Sequence, residues 1–252
     1  RIALFAEAIT GAPYEIRASD AFTGNVAVRS DAAMLDSRAL YLPPRIAASS
    51  HAAVNVRTFR LLSLHQLGYR EFGTFEFRLA AARDRVARLQ RHAASNEPLR
   101  ESDLDAFYGH FAAPALARLL FRLFEAHRID CRMLAAYPGA RADHRRETAG
   151  ELARRPALHV ISDLREILEA LLTWSLGVPD AVLIERDATG IVAPMLAIGA
   201  ALRAARADVY DTANAVAETY TLLDQARLVP IELTAVVVSD ESAAALDIER
   251  PR

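Results

Sequence analysis

Residues 61–76 read LLSLHQLGYREFGTFE, and this stretch decides how the chain divides into structural elements. Before Gly73, core-type residues recur at spacings of three and four, the period of one helix face. These residues are Val54, Phe59, Leu61, Leu62, His65 and Tyr69. Gly73 and Thr74 then break the pattern. We therefore predict a helix over residues 46–70, with His65 on or beside its buried face.

The run from His65 to Tyr69 occupies the positions of the zinc-peptidase motif His-Glu-x-x-His. In that motif two His side chains one helical turn apart bind Zn²⁺, and the Glu is the general base. Here Gln66 is an amide, which cannot accept a proton at neutral pH. Tyr69 is a phenol with an ordinary pKa of about 10. The motif therefore predicts a degenerate zincin-like scaffold without peptidase chemistry.

A zinc site of this kind needs a third ligand, and Glu125, on a later apolar segment, is the best candidate. A buried carboxylate is costly unless it is paired. Arg128, three residues further on, is a partner on the same helix face, and His65 is a more distant one. We interpret Glu125 as a hydrogen-bonded remnant and predict no metal, with His65 and Glu125 as vestigial ligand candidates.

The remaining His residues are scattered, and we find none that pairs with Cys131 at a ligand spacing. One alternative stays open: a metal-binding, hydrolase-like domain that uses His65, Glu125 and a second His, either His51 or His127. Another alternative is a purely structural helical scaffold. The turn that follows the His65 helix is interpreted as a helix C-cap, with a contact site as the competing interpretation.

The N-terminal part alternates polar and apolar residues in short runs, which predicts a small β-meander. Its strands would be residues 14–17, 26–29 and 39–42. Helical patterns follow up to about residue 230, and residues 231–239 are strand-like. The helical patterns include a helix capped by Ser102 and an amphipathic helix over residues 159–177. We predict a mainly α fold with a small N-terminal β-meander (α+β), divided into a β-containing segment 1–45, a helical domain 46–230 and a tail 231–252. The strongly charged residues 141–155 are interpreted as a solvated helix face or linker, with a docking patch as the alternative.

Composition excludes several classes of function. The 252 residues are 52% hydrophobic and 25% charged, which suits a globular protein with a sizeable core. A net charge of -2 predicts neither nucleic-acid nor membrane-surface binding. All 30 basic residues are Arg, so a Schiff-base or Walker-type Lys is impossible. A single Cys and the lack of a long apolar run predict a cytoplasmic, bacterial protein without a membrane span.

Several short runs occur in order between about residues 35 and 225. They are LYLP at 40–43, HQLG at 65–68 with EFGTF at 71–75, LFE at 123–125, RID at 128–130, YPG at 137–139, VYDTA at 209–213 and TY at 219–220. As an ordered set they resemble the region upstream of the von Willebrand A domain in the CbbO/NorD family, whose members are adaptors of MoxR-type AAA+ ATPases. The family pattern often has His where this chain has Tyr69.

The resemblance implies a non-catalytic adaptor, with no cofactor in this fragment. In the CbbO branch, which we favour, the chain would couple a CbbQ-like ATPase hexamer to Rubisco, so that ATP-driven remodelling releases inhibitory sugar phosphates. In the NorD branch the client would be nitric oxide reductase. The client would bind through a von Willebrand A domain outside this chain. The residues expected to interact, or to support the site, are Gln66, Tyr69, Phe72, Gly73, Thr74, Arg128 and Asp130.

Overall fold

The computed structural model describes residues 2–11, 13–18, 39–46, 50–86, 89 and 102–229. Within these ranges the chain is mainly helical and has one two-stranded sheet. This confirms the predicted mainly α fold with a small N-terminal β element. The predicted strands at 26–29 and 231–239 lie outside the described residues.

The described helices and strands follow in chain order. The strands are β1 (Glu15–Ala18) and β2 (Ala39–Leu42). The helices are α1 (Ile2–Thr10), α2 (Ala52–Glu71), α3 (Leu79–Arg85), α4 (Asp103–Tyr108), α5 (Pro114–Ala136), α6 (Arg141–Arg154), α7 (Leu164–Ser175), α8 (Asp180–Glu185), α9 (Val192–Ala200) and α10 (Val209–Gln225). Of these helices, none is long and apolar enough to cross a bilayer.

The chain separates into two compact units. Of the described residues, those within 1–75 and 132–155 form the first unit, and those within 76–131 and 156–229 form the second. The boundary predicted near residue 45 falls inside the first unit. The physical reason is a shared apolar cluster that α1, the sheet and α2 build together, formed by Ala6, Tyr14, Leu40, Leu42 and Leu67.

The sheet of the first unit pairs β1 and β2 in parallel, with Glu15 opposite Ala39 and Ala18 opposite Leu42. Neighbouring strands of a meander run antiparallel. Two of the predicted strands therefore exist, but they lie side by side in parallel and are not adjacent strands of a meander. All four residues of β2 are buried, whereas β1 is largely exposed.

Helix α2 ends close to the predicted position. The Phe72 N–H donates to the Gly68 carbonyl at 2.9 Å, and Gly73 follows with a φ of 79°. Only Gly adopts this left-handed conformation at little cost, which is why the helix stops there. At its other end α2 begins at Ala52, later than the predicted residue 46.

The second unit is built on helix caps and an aromatic core. The Ser102 side chain accepts a hydrogen bond from the Asp105 N–H, as the sequence predicts for the start of α4. Asp163 caps α7, so this helix begins at Leu164 and not near residue 159 as predicted. The rings at the centre include Phe77, Phe107, Phe111, Phe121 and Tyr220.

Replacing Gly199 with Ala should lower the free energy of unfolding by about 1–3 kcal/mol, despite a gain in helix propensity of about 1 kcal/mol. A Cβ on Gly199 would lie 2.8 Å from the buried Trp174 ring and 3.1 Å from Phe124. Gly150→Ala in α6 is the matched control, because its nearest atom is the flexible Arg154 Nη1 at 3.9 Å. Urea unfolding should show that Gly199→Ala lowers the free energy of unfolding and that Gly150→Ala raises it. Equal stabilisation by both substitutions would mean that the Trp174 ring moves aside at little cost.

Candidate functional site

Gln66 joins helix α2 to strand β2 through its side-chain amide. Its Oε1 accepts a hydrogen bond from the Tyr41 N–H at 2.9 Å, and its Nε2 donates to the Tyr41 carbonyl. The amide thus satisfies both backbone groups of one strand residue, as a neighbouring strand would do. A glutamate could not do this, because a carboxylate has no donor for the carbonyl. The amide at position 66 is therefore a structural requirement.

His65 and Tyr69 contact each other along the same helix. The His65 Nε2 lies 3.1 Å from the Tyr69 hydroxyl, and the two rings meet edge to face with centroids 5.2 Å apart. Tyr69 is buried and His65 is half-buried. The position of the second zinc ligand thus holds a phenol packed into the first unit. All three positions that carry zinc-peptidase chemistry make protein contacts instead.

Glu125 and Arg128 form a buried pair on α5, the pairing anticipated from their spacing. The Arg128 Nη2 lies 2.6 Å from Glu125 Oε1, and its Nε lies 2.8 Å from Oε2. The Thr212 hydroxyl donates to the same Oε2 at 2.6 Å, and Arg128 Nη1 donates to the Ala207 carbonyl at 3.2 Å. The side chains of the pair are almost completely inaccessible to solvent. This network ties α5 to the start of α10.

The vestigial ligand candidates lie in different units, His65 in the first and Glu125 in the second. Thr212, from the same unit as Glu125, supplies a further hydrogen bond to its carboxylate. Of the further candidates, His51 precedes α2 in the first unit and His127 is buried in the second. Within the described part of the chain, no three His, Cys, Asp or Glu side chains are grouped to hold a metal ion.

The turn after α2 divides its residues between core and surface. Thr74 is fully buried at the start of a short 3-10 helix. Phe72 is half-buried, and the Arg132 guanidinium lies 5.1 Å from its ring centroid. Next to it, the Tyr137 hydroxyl donates to both carboxylate oxygens of Glu71, at 2.9 and 3.0 Å. The turn thus ends the helix, as the C-cap interpretation predicts, and the contact-site interpretation stays a prediction.

A buried aromatic niche in the second unit escaped the sequence analysis. The His127 ring lies 4.4 Å from the Trp174 ring, and the Arg203 guanidinium lies 4.6 Å from the same ring. The His127 Nε2 is 3.7 Å from Cys131 Sγ. Our statement that no His pairs with Cys131 at a ligand spacing was therefore wrong. The signal was available, since residues four apart on a helix are neighbours.

The electrostatics of this niche favour neutral side chains. Burial, assisted by the charge of Arg203, lowers the pKa of His127 to about 4, although Asp130 opposes the shift. Burial and the charge of Asp130 raise the pKa of Cys131 to about 11. At neutral pH the imidazole is therefore uncharged and the thiol protonated. A thiol in this state is a poor nucleophile and a poor metal ligand.

Stability should fall as the pH drops from about 6.5 to about 4, because the unfolded chain protonates His127 before the folded protein does. The contribution is complete above pH 6.5, and its loss approaches about 3 kcal/mol near pH 4. We expect the difference in unfolding free energy between wild type and His127→Gln to shrink over this interval. A difference independent of pH would contradict the prediction, as would a His127 NMR titration near pH 6.5.

Comparison with models of known protein families, with curated proteins and with solved structures finds no match to this chain. The first unit has an amide that binds the Tyr41 backbone and a turn with aromatic and charged side chains. The second unit has the buried Glu125–Arg128 pair.

Proposed function

We propose that this chain is the ATPase-binding part of a non-catalytic adaptor of the CbbO/NorD type. It would bind a CbbQ-like MoxR-type AAA+ hexamer and couple it to a client enzyme. The proposed client is Rubisco, from which ATP-driven remodelling would release inhibitory sugar phosphates. Nitric oxide reductase is the alternative client, and either would bind through a von Willebrand A domain outside this chain.

The observation that carries the proposal is that the ordered runs contact one another. Tyr41 of LYLP is held by Gln66 of HQLG, and Tyr137 of YPG bonds Glu71 of EFGTF. In the second unit, LFE and RID supply the buried Glu125–Arg128 pair, and VYDTA supplies its partner Thr212. Side chains that hold a fold together are those that proteins of one fold would share. This supports treating the runs as one signature and not as chance similarities.

A second argument concerns the lost chemistry. The peptidase base is replaced by the Gln66 amide, which binds both backbone groups of Tyr41. The second ligand is replaced by Tyr69, which contacts His65. The polar groups at these positions hold the fold and offer no zinc-peptidase chemistry, which supports an adaptor over the metal-dependent hydrolase.

The proposal is tested by mixing the chain with its cognate MoxR-type ATPase, followed by size-exclusion chromatography and an ATPase assay on the same mixture. We expect co-elution at tens of micromolar and a changed rate of ATP hydrolysis. Absence of a complex at that concentration, which means less than about 6–7 kcal/mol of binding free energy, would refute ring binding by this chain.

Elemental analysis after chelator-free purification separates the adaptor from the hydrolase. We expect the same low metal content in wild type and in His65→Ala. A stoichiometric metal that is lost in His65→Ala, together with peptide hydrolysis by the wild-type chain, would overturn the adaptor proposal in favour of the metalloenzyme.

A further inference from the structure

Helix α6 (Arg141–Arg154) separates its residue types by face. Of its 14 residues none is fully buried. Every exposed residue is either Arg or Ala, and all three carboxylates are half-buried. The exposed residues are Arg141, Ala142, Arg145, Arg146, Ala149, Ala153 and Arg154. The outward surface of this helix is thus purely basic and apolar.

The carboxylates of α6 are engaged by neighbouring side chains of the first unit. Glu147 Oε1 accepts a hydrogen bond from the buried Thr58 hydroxyl at 2.7 Å. Asp143 Oδ1 lies 3.4 Å from Arg57 Nε. Glu151 pairs with two arginines at the end of the helix. Asp143 also pairs with the exposed Arg146 at 2.7 Å. These carboxylates therefore attach α6 to α2 and compensate two of its four exposed arginines, Arg146 and Arg154.

The outward face contains a line of residues four apart, Arg141, Arg145 and Ala149, which we call the Arg–Ala stripe. Residues at this spacing lie above one another on a helix. No described carboxylate is within ion-pair distance of Arg145. Arg141 donates a described hydrogen bond only from its Nε, to the Leu134 carbonyl at 3.0 Å. Both guanidinium groups therefore keep donors that point to no described acceptor.

An ordinary solvated helix carries acidic–Arg pairs along its exposed face. Helix α6 has such pairs at Arg146 and Arg154, whereas Arg141 and Arg145 of the stripe have no described ion pair. A free guanidinium matches a carboxylate with two parallel hydrogen bonds, and it is common in protein interfaces. The Ala positions leave the helix backbone open to close approach. These features favour a partner with exposed carboxylates.

We propose that the Arg–Ala stripe docks an acidic surface on the ATPase ring; this inference rests on the proposed adaptor function. A protein partner is favoured over nucleic acid for two reasons. The whole chain has a net charge of -2. The stripe also carries only two arginines, which match a small group of carboxylates better than a continuous row of phosphates.

The test compares single charge changes in binding to the cognate ATPase at 50 and 300 mM NaCl. Arg145→Glu reverses a charge without removing a described ion pair, and Ala149→Glu adds a negative charge to the same stripe. Arg165→Glu, on an exposed position of α7 in the second unit, is the matched control. We expect the Kd to rise at least tenfold for Arg145→Glu and at least threefold for Ala149→Glu at low salt. The control variant Arg165→Glu should change the Kd less than twofold.

The possible outcomes separate the inference from the function on which it rests. Wild-type binding that is insensitive to salt and to both stripe variants would overturn the docking surface and leave the adaptor intact. No binding by the wild type would overturn both. Salt-sensitive binding of a labelled single-stranded RNA, lost in Arg145→Glu, would replace the acidic protein with a phosphate backbone. Unchanged melting of each variant shows that the folded protein was compared.

Discussion

Replacing Glu125 with Leu should lower the free energy of unfolding by about 3–5 kcal/mol, the largest effect we expect from a single substitution. The reason is the partner that it leaves behind. Arg128 is completely buried, and two of its guanidinium nitrogens bond Glu125. Without the carboxylate, a positive charge would stay in the core without its counter-charge, which is far more costly than losing the pair as a whole.

The double variant Glu125→Leu/Arg128→Met distinguishes this explanation from simple loss of packing. Removing both charges should restore most of the lost stability, because apolar residues of similar size often replace a buried pair at little cost. Thr212→Val should cost only about 1–2 kcal/mol, since its hydroxyl supplies one hydrogen bond to the charged Glu125. If Glu125→Leu melts at the wild-type temperature, the pair is exposed in solution and the buried network is wrong.

Gln66→Glu should destabilise the first unit by about 1–3 kcal/mol, although it changes a single atom type. The carboxylate would still accept from the Tyr41 N–H, but it would place a second acceptor against the Tyr41 carbonyl. That carbonyl belongs to a buried strand and would lose its donor. Chemical denaturation monitored by circular dichroism measures the loss directly.

The pH dependence of Gln66→Glu identifies the missing proton as the cause. A protonated carboxyl regains the donor, so its pKa in the folded variant should be raised above the ordinary value of about 4.3. A raised folded pKa adds stability as the pH falls, so the deficit relative to wild type should shrink towards pH 4. Gln66→Met is the control, because it loses both hydrogen bonds at every pH. A Gln66→Glu deficit that does not vary with pH would contradict this account.

Local sequence rules predicted much of what depends on neighbours along the chain. The Gly73 break, the Ser102 cap and the Glu125–Arg128 spacing all appear in the structure, because each involves residues within one helical turn or at its end. The start of α7 was misplaced, because the Asp163 cap competes with an apolar pattern that continues upstream. The parallel pairing of β1 and β2 was also missed.

In the candidate site, too, the sequence predicted some features and missed those that depend on distant residues. That Gln66 cannot act as the base of a zinc peptidase was evident from its amide. The structural role of the Gln66 amide was not evident, because the Tyr41 backbone that it binds is 25 residues away. Thr212, which completes the Glu125 network, is 87 residues from that carboxylate. Sequence spacing carries no information about partners at such separations.

The sequence by itself determined the mainly α class, the absence of Lys from this chain and the differences between residues 65–69 and the motif His-Glu-x-x-His. Each of these depends on which atoms are present or on the period of a single helix. Only the tertiary structure decided that Gln66 binds Tyr41, that His65 and Glu125 belong to different units, and that α6 turns its arginines outward. These outcomes depend on burial and on long-range contacts, which form only when the chain has folded.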